Sequence, residues 1–332
     1  MSKRPTIRCL ESREGRKEER RKLGKLTDQK VSPLTRKRYE EALQGLERFT
    51  RRSRAQLFHC VRDLNSTLQS YIEALWEDGE GRSTASYIMA AVQHHEPGFK
   101  RQLGEAWALV SLWNRLEQPR RATPLTPELT LAFAGRFLQW GWPDLADGIV
   151  VGFAGFLRTG ELFRLRREHI VLPRRPSQAA VVFLEDTKTG QRRFEQWEKI
   201  TLTEQGSIAA LRRLCHKLHP NDHLLTPSAA KFRELWKEVV RSFHLHEHNF
   251  VPYSLRRGGA TSAYREGMSF DQLLVHGRWR HIATARLYLD QGLQEYAALT
   301  LPTHSQAPLC AARRYYATTV SQPGTRGGAR SR

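Results

Sequence analysis

One arginine in the second half of the chain is placed where its side chain could bind a phosphate group. Arg158 ends an apolar segment and begins a turn, in the sequence Gly-Phe-Leu-Arg-Thr-Gly-Glu-Leu over residues 155–162. A guanidinium keeps its charge at any working pH and binds phosphate oxygens through a planar fork of N–H donors. The alternative is a salt bridge with Glu161 at a helix junction. For this segment alone the salt bridge is the better interpretation.

Two further segments combine aromatic and basic residues at regular spacing. Tyr253 and Arg256 lie three residues apart at the start of a predicted helix, so both side chains project from one helix face. Small residues follow in the next turn and let that helix pack closely, which is also enough to explain their presence. Trp279 lies nine residues before Tyr288. Taken alone, each of these aromatic residues is more often part of a core than of a catalytic site.

Hydrophobic periodicity predicts the elements that position these segments. Residues 30–118 carry apolar residues at helical spacing in four successive segments, without strand-like alternation, which predicts an all-helical domain. Residues 117–127 contain three prolines and no apolar run, a pattern typical of an interdomain linker, which we place over 119–127. A second domain follows over 128–300. Thr126, which is followed by a proline, is a candidate cap for its first helix.

The second domain combines helices with three short strand candidates. These candidates lie over residues 169–172, 180–184 and 194–202, and the last two are joined by a turn that contains Lys188. Three short strands form a small sheet rather than a doubly wound one. The fold class is therefore predicted to be mainly α with a small antiparallel β-sheet, an α+β arrangement.

The charge of the chain points to a polyanionic partner. The sequence has 54 Lys and Arg against 34 Asp and Glu, a formal net charge of +20, which favours nucleic acid first and an anionic membrane surface second. Half of this excess lies in residues 1–29 and 301–332, which lack a sustained apolar period and are predicted to be a flexible basic arm and a disordered basic tail. The other half belongs to the folded body, so a surface that faces DNA or RNA is the better interpretation.

Missing motifs exclude several common classes of protein. The sequence has no P-loop, GxGxxG, HExxH, GxSxG or zinc-finger spacing, and its four cysteines form no CxxC pair. The longest uncharged apolar stretch, residues 148–157, is far shorter than the roughly 20 residues that cross a bilayer, so no membrane partner is expected. The N-terminus lacks the apolar region of a secretory signal. Together with the cysteine pattern, this indicates a reducing, intracellular compartment.

Taken in order, these segments resemble the tyrosine recombinase (phage integrase) family over nearly the whole ordered chain. The family pattern is a catalytic Arg in G-L-R-x-x-E-L, a Lys on a β-hairpin turn, a helix start H-x-L-R, and a His or Trp nine residues before the nucleophilic Tyr. The resemblance identifies the catalytic positions as Arg158, Lys188, Tyr253, Arg256, Trp279 and Tyr288. The first domain is similar to the core-binding domain of the family, which clamps duplex DNA together with the catalytic domain. The run Ser-Leu-Arg-Arg-Gly-Gly-Ala-Thr resembles members carried by eukaryotic mobile elements.

The sequence departs from the family pattern at two places. The usual His, three residues before the second Arg, is Tyr253 in this chain, which alters the group that positions the nucleophile and passes protons. An extra segment over residues 173–178 lengthens the distance between Arg158 and Lys188. Lys199 therefore stays open as an alternative to Lys188.

The resemblance implies a site-specific recombinase or integrase that breaks and rejoins duplex DNA without metal, ATP or another cofactor. Tyr288 would attack the phosphodiester and form a 3′-phosphotyrosyl bond. Arg158 and Arg256 would hold the non-bridging oxygens of the transition state. Lys188 would protonate the leaving 5′ oxygen, and Trp279 would donate its indole N–H and support the helix that carries the nucleophile.

Double-stranded DNA is the expected partner, and the resemblance implies a monomer that assembles into dimers and tetramers on DNA with paired sites. The protein would then be found with DNA, in the nucleus of a eukaryote or in the nucleoid and cytoplasm of a bacterium. Leu293, Tyr296 and Leu299 repeat at helical spacing, and this segment either passes to a neighbouring protomer through a hinge at Gly292 or folds back on its own core. Two other functions stay open: a domesticated DNA-binding protein with impaired catalysis, and a type IB topoisomerase-like relaxase.

Overall fold

The computed structural model describes residues 12–118, 120–175, 177–185 and 197–321. They fall into two compact units, one within Met1–Pro119 and the other within Arg120–Arg332. The described residues are mainly helical and contain a small antiparallel sheet, which confirms the predicted fold class. No helix in these ranges is both long and apolar enough to cross a membrane.

The described part of the first unit is helical throughout and has its own hydrophobic core. Its helices are α1 (Arg13–Leu23), α2 (Pro33–Thr50), α3 (Arg54–Leu57), α4 (Val61–Glu77), α5 (Arg82–His95) and α6 (Gly104–Leu116). Ser32 caps α2 by accepting a hydrogen bond from the Thr35 N–H, and Pro33 occupies the first turn, where a missing N–H costs nothing. Core side chains with less than 2% exposure include Leu46, Leu64, Leu68, Ile88, Met89 and Leu103.

The prediction of a flexible arm over residues 1–29 is wrong for the part that the structure describes. Residues 13–23 form α1, and Ser12 caps it by accepting a hydrogen bond from the Gly15 N–H at 3.0 Å. The helix has an acidic residue in its first turn and three basic residues in its last turn, an arrangement that complements the helix dipole. None of its described side chains is buried, so an apolar period could not reveal it. Residues 1–11 lie outside the described residues.

The second unit packs helices against a three-stranded sheet of order β1-β2-β3. The strands are β1 (Ile170–Val171), β2 (Ala180–Glu185) and β3 (Trp197–Leu202). The helices are α7 (Pro127–Gln139), α8 (Pro143–Ala154), α9 (Thr159–Leu162), α10 (Gln205–Leu214), α11 (Ala229–Ser242), α12 (Ser254–Arg265), α13 (Phe270–Gly277), α14 (Ile282–Arg286), α15 (Gln291–Leu299) and α16 (Thr303–Ser321). Val182 pairs with Ile170 on one side and with Ile200 on the other. All three side chains are buried, so this face of the sheet belongs to the core.

The proline-rich segment predicted as a linker packs, in its second half, on the second unit. The Thr123 N–H donates to the Asn249 carbonyl at 3.0 Å, and the Leu125 N–H donates to the Ser254 carbonyl at 3.3 Å. The Leu125 side chain is fully buried in the core of this unit. The second unit therefore starts before the predicted boundary at residue 128.

The prediction of a disordered tail over residues 301–332 is wrong for the part that the structure describes. Its first part contains α16, which packs along α7 and buries Leu309, Ala312 and Tyr316. The sequence did not predict this helix because its buried face consists of one Leu, one Tyr and two small residues, Ser305 and Ala312, too little for a clear apolar period. Residues 322–332 lie outside the described residues.

A polar contact fixes α16 to its own unit. The Tyr316 hydroxyl donates to the Asp147 carboxylate at 2.7 Å and accepts a hydrogen bond from Arg213 at 3.1 Å. Arg213 also forms an ion pair with Asp147 at 2.8 Å. Because Tyr316 is buried, its hydroxyl is satisfied only while the helix stays in this position.

The segment after Tyr288 forms α15, and Gly292, the predicted hinge, lies inside its first turn. Asp290 caps the helix by accepting a hydrogen bond from the Leu293 N–H at 3.1 Å. The helix buries two side chains in its own unit, while Tyr296 and Leu299 are 61% and 78% exposed. The segment is thus partly folded back, and its exchange between protomers stays a prediction.

Gly135→Ala is expected to weaken the attachment of α16 to α7. An added Cβ at Gly135 would lie 1.8 Å from the Ala312 carbonyl oxygen, so the two helices would have to separate. We expect the free energy of unfolding to fall by about 1–3 kcal/mol, as in other overpacked cores. We also expect amide hydrogens of α16 to exchange faster, as measured by hydrogen–deuterium exchange.

Gly292→Ala is the matched control, because a Cβ there meets nothing within 4 Å. This exposed helical position should gain stability, by up to about 1 kcal/mol. Equal exchange rates of α16 in both variants would show that the close approach of the two helices contributes nothing to the fold.

Candidate active site

Five of the six residues that the sequence singled out meet in the second unit, beside the end of α8. The Arg256 guanidinium carbon lies 4.9 Å from the centre of the Trp279 ring and 5.1 Å from that of Tyr288. The ring centres of Tyr253 and Tyr288 are 5.7 Å apart, and those of Trp279 and Tyr288 are 4.7 Å apart. Arg158 faces the same cluster, since its charge acts on both tyrosines.

Arg158 presents its guanidinium at the first turn of α9. Glu161 accepts two hydrogen bonds from it, one from the main-chain N–H at 2.8 Å and one from Nη1 at 2.5 Å. The salt bridge considered from the sequence is therefore present. The Arg158 side chain is still 28% exposed, so part of its N–H fork can reach an incoming phosphate.

Arg256 lies beneath the site and is fully buried. Nη1 donates to the Phe156 carbonyl, and Nη2 donates to the Gly277 carbonyl at 2.6 Å. This depth is possible because α12 lies against α8: a Cβ at Gly259 would be 2.1 Å from the Phe153 carbonyl oxygen. Burial, together with the neighbouring positive charges, lowers the pKa of Arg256 to about 10. The group remains charged at neutral pH.

The main chain at Tyr288 and just after it is tied to α12. The Thr261 hydroxyl donates to the Tyr288 carbonyl at 3.1 Å and accepts from the Asp290 N–H at 3.3 Å. Arg257, which is buried next to Arg256, forms an ion pair with Asp290 at 3.1 Å. These contacts hold the phenol of Tyr288 over the Arg256 guanidinium.

The surroundings of Tyr288 favour its charged form. Burial raises the pKa of its phenol, but hydrogen bonding by Tyr253 and the positive charge of Arg256 outweigh burial, so the pKa of Tyr288 is lowered. The pKa of Tyr253 is raised, by burial first and then by its hydrogen bond to Tyr288. Of the two phenols, Tyr288 therefore loses its proton more readily, and Tyr253 keeps its proton. Trp279, whose buried indole N–H has no other partner among the described residues, also lowers the pKa of Tyr288.

Comparison with known proteins gives one curated relative and several solved structures. No protein-family model matches the chain. The chain is 26% identical over 269 residues to an integrase/recombinase xerD homolog of Selenomonas ruminantium, covering 71% of this chain and 76% of that protein. A structure of the Tn1549 transposon integrase with transposon right end DNA has a TM-score of 0.57 at 15% identity and covers 85% of this chain and 96% of that chain. The chain is therefore similar in sequence to an integrase/recombinase, and its fold matches that of solved tyrosine recombinases.

A second solved tyrosine recombinase fold matches with a similar score. The XerH site-specific recombinase bound to difH substrate has a TM-score of 0.53 at 14% identity, covering 84% of each chain. The curated relative comes from a bacterium. None of these matches supports the resemblance to members carried by eukaryotic mobile elements.

The predicted general-acid lysine is the one predicted site residue that the structure does not place. Lys188 lies outside the described residues. The alternative, Lys199, is exposed on β3 and lies over the Phe183 ring at 5.7 Å. Its neighbour Glu198 is buried and points toward Arg278. Because successive strand residues face opposite sides, Lys199 points away from Arg278 and Glu161, and Lys188 stays the predicted lysine.

Sequence reasoning missed Arg278, although it singled out the segment Gly-Arg-Trp. This arginine is buried and forms an ion pair with Glu161 at 2.8 Å. A helical or strand period does not reveal such a residue, because it follows the last turn of α13 in a left-handed conformation with φ 58°. The available signal was its position directly before Trp279.

Proposed function

We propose that this protein is a site-specific recombinase or integrase that breaks and rejoins duplex DNA through a 3′-phosphotyrosyl bond at Tyr288. The observation that carries the proposal is the position of the Tyr288 ring, whose centre lies 5.1 Å from the Arg256 guanidinium carbon and 4.7 Å from the Trp279 ring centre. These surroundings lower the pKa of Tyr288. A phenol needs such surroundings to attack a phosphodiester near neutral pH, since its ordinary pKa is near 10. Arg158 lies partly exposed at the same cluster.

The proposed reaction exchanges one phosphoester bond for another. The Tyr288 oxygen attacks phosphorus, the bond from phosphorus to the 5′ oxygen breaks, and a general acid protonates the leaving oxygen. We assign that proton to Lys188 by the resemblance. Arg158 and Arg256 stabilise the extra charge of the pentavalent transition state. Attack of a 5′ hydroxyl on the phosphotyrosine reverses the step, so the bond energy is kept and neither ATP nor another cofactor is consumed.

Double-stranded DNA is the proposed partner. The formal net charge of +20 favours a polyanion, and the Tn1549 integrase and XerH structures contain DNA. We also propose assembly into dimers and tetramers on paired sites. The exposed apolar side chains of Tyr296 and Leu299 on α15 supply a surface for such contacts.

One observation favours a second candidate function, a DNA-binding protein with impaired catalysis. Both terminal nitrogens of Arg256 donate to main-chain carbonyls, and the guanidinium is fully buried. A phosphate could then reach this arginine only after those contacts rearrange. The substitution of the usual His by Tyr253 points in the same direction.

Nicked suicide duplexes that carry candidate sites distinguish these functions. A recombinase is expected to form an SDS-resistant adduct, because the nicked fragment diffuses away and traps the phosphotyrosine. Duplex binding without an adduct would favour the impaired DNA-binding protein. Relaxation of supercoiled plasmid without exchange between two sites would favour the topoisomerase-like relaxase.

Tyr253→Phe is expected to shift the pH dependence of adduct formation to higher pH. The phenolate of Tyr288 is the attacking form, so the rate rises with pH as this phenol loses its proton. Without the Tyr253 hydroxyl the pKa of Tyr288 rises, and the rising limb of the profile moves with it. At neutral pH the rate should fall about two- to tenfold, since a hydrogen bond contributes roughly 0.5–1.5 kcal/mol.

The measurement is the rate of adduct formation from about pH 6 to about pH 10, up to the ordinary pKa of tyrosine. Tyr264→Phe is the matched control, because Tyr264 is on the same helix and its ring packs against Phe270 instead. Its profile should overlay that of the wild type. If the Tyr253→Phe profile also overlaid the wild type, the two phenols would act independently.

A further inference from the structure

Arg278 is a buried cation that the proposed chemistry does not use. Its Nη2 lies 2.8 Å from Glu161 Oε2, and its Nε lies 3.6 Å from Glu198 Oε2. All three side chains are buried. Arg278 also has a left-handed backbone conformation with φ 58°, which residues with a side chain rarely adopt. A buried ion cluster of this kind is weak support for stability, so its arrangement calls for another explanation.

The cluster contains one arginine more than it has carboxylates. Arg158, Arg256 and Arg278 surround Glu161 at distances of 2.5, 4.0 and 2.8 Å. Glu198 is the second carboxylate, and neither of its oxygens has a hydrogen-bond partner among the described residues. Three positive charges therefore meet two negative charges, and the cluster keeps a net positive charge beneath the exposed edge of Arg158.

Removing the charge of Arg278 would reduce the positive charge that is available to bind a phosphate. Glu161 would then be neutralised by Arg158 alone at short range, and the two remaining arginines would be balanced by the two glutamates. In a site with little water the balance of charges has a large effect on phosphate binding, because the charges are weakly screened. Arg278 thus keeps part of the Arg158 charge available, and it also fixes the main chain directly before Trp279.

We propose that Arg278 is a positioning residue that neutralises Glu161, so that Arg158 can bind the scissile phosphate. The inference rests on the proposed function for the identity of the phosphate. It concerns a residue outside the six predicted site residues and states how that residue acts, through the carboxylate of Glu161 and not through contact with DNA.

Binding of two duplexes tests the inference without requiring cleavage. One duplex carries an ordinary phosphate at the scissile position of a candidate site, and the other carries a neutral methylphosphonate there. Both are titrated onto full-length Tyr288→Phe protein, which lacks the nucleophile. This background is expected to bind the charged duplex about tenfold more tightly, the value of one charge-assisted hydrogen bond.

Arg278→Met in that background is expected to abolish the preference for the charged duplex. Arg280→Met is the matched control, because Arg280 is exposed two residues away; its loss can weaken both duplexes but should leave their ratio unchanged. The decisive variant is Glu161→Gln combined with Arg278→Met. Removing the charge of Glu161 should restore the preference if Arg278 acts by neutralising it, whereas a merely structural role would not be rescued.

The outcomes separate this inference from the proposed function. A preference that survives Arg278→Met, or one that the double variant fails to regain, overturns the inference and leaves the proposed function intact. Absence of any preference in the Tyr288→Phe background, together with no adduct from the wild type, overturns both. Far-ultraviolet circular dichroism of each variant shows whether it is folded. A restored preference for the charged duplex would also show that the double variant is folded.

Discussion

Tyr288→Phe is expected to abolish covalent attachment to DNA while leaving duplex binding unchanged. The substitution removes the oxygen that would attack phosphorus and keeps the ring that packs on Trp279. The change touches neither Thr261 nor Asp290, which hold the main chain of this segment. Duplex binding should therefore stay within about 0.5 kcal/mol of wild type, as for substitutions that disturb no packing. Adducts are measured as SDS-resistant bands on nicked suicide duplexes, and binding by gel shift.

Tyr296→Phe serves as the control, because Tyr296 is an exposed tyrosine on α15. It should form adduct at the wild-type rate. An adduct that persists in Tyr288→Phe, or that maps to Tyr296, Tyr315 or Tyr316, would contradict the assignment. Tyr316 is the least suited of these, since burial raises the pKa of its phenol and its hydroxyl is engaged by Asp147.

Features set by neighbouring residues could be predicted from the sequence. Thr126 caps α7 as expected, because its side chain accepts a hydrogen bond from the Leu129 N–H at 3.2 Å and a proline follows it. The three short strands form the expected antiparallel sheet. Such features depend on turn and cap chemistry within a few residues, which a single sequence displays directly.

Features set by long-range packing could not be predicted in the same way. Arg256 reaches the Phe156 carbonyl, and Arg278 reaches Glu161, across 100 and 117 residues of sequence. Nothing local in either segment shows that the guanidinium will be buried. The ordered spacing of Arg158, Arg256 and Tyr288 brought these residues into one hypothesis, but it left open which of the arginines faces solvent.

The C-terminal helix shows a second limit of pattern reasoning. α16 is held by a close approach at Gly135 and by the Tyr316 hydroxyl between Asp147 and Arg213. A glycine contact and a polar anchor contribute little to an apolar period. The same segment therefore has the composition of a disordered tail and the packing of a core helix.

Arg158→Lys is expected to slow adduct formation by about 10²- to 10³-fold with little change in stability. A donor aimed at developing charge contributes roughly 3 kcal/mol to the transition state, and lysine lacks the planar fork that binds two phosphate oxygens. The Arg158 side chain is 28% exposed, so lysine can keep its charge in water there. Arg265→Lys, on the exposed side of α12, is the matched control and should leave the single-turnover rate unchanged.

Arg256→Lys is expected to lower both the rate of adduct formation and the stability of the protein. The loss of stability distinguishes Arg256 from Arg158. The rate should fall by a similar factor, about 10²- to 10³-fold. Lysine at this fully buried position cannot reproduce both donations, to the Phe156 and Gly277 carbonyls, and an unsatisfied buried carbonyl costs about 1–3 kcal/mol of unfolding free energy. Urea unfolding measured beside single-turnover adduct formation resolves the two effects. If Arg256→Lys lost stability but cleaved at nearly the wild-type rate, Arg256 would be a structural residue, and Arg158 would be the arginine that stabilises the transition state.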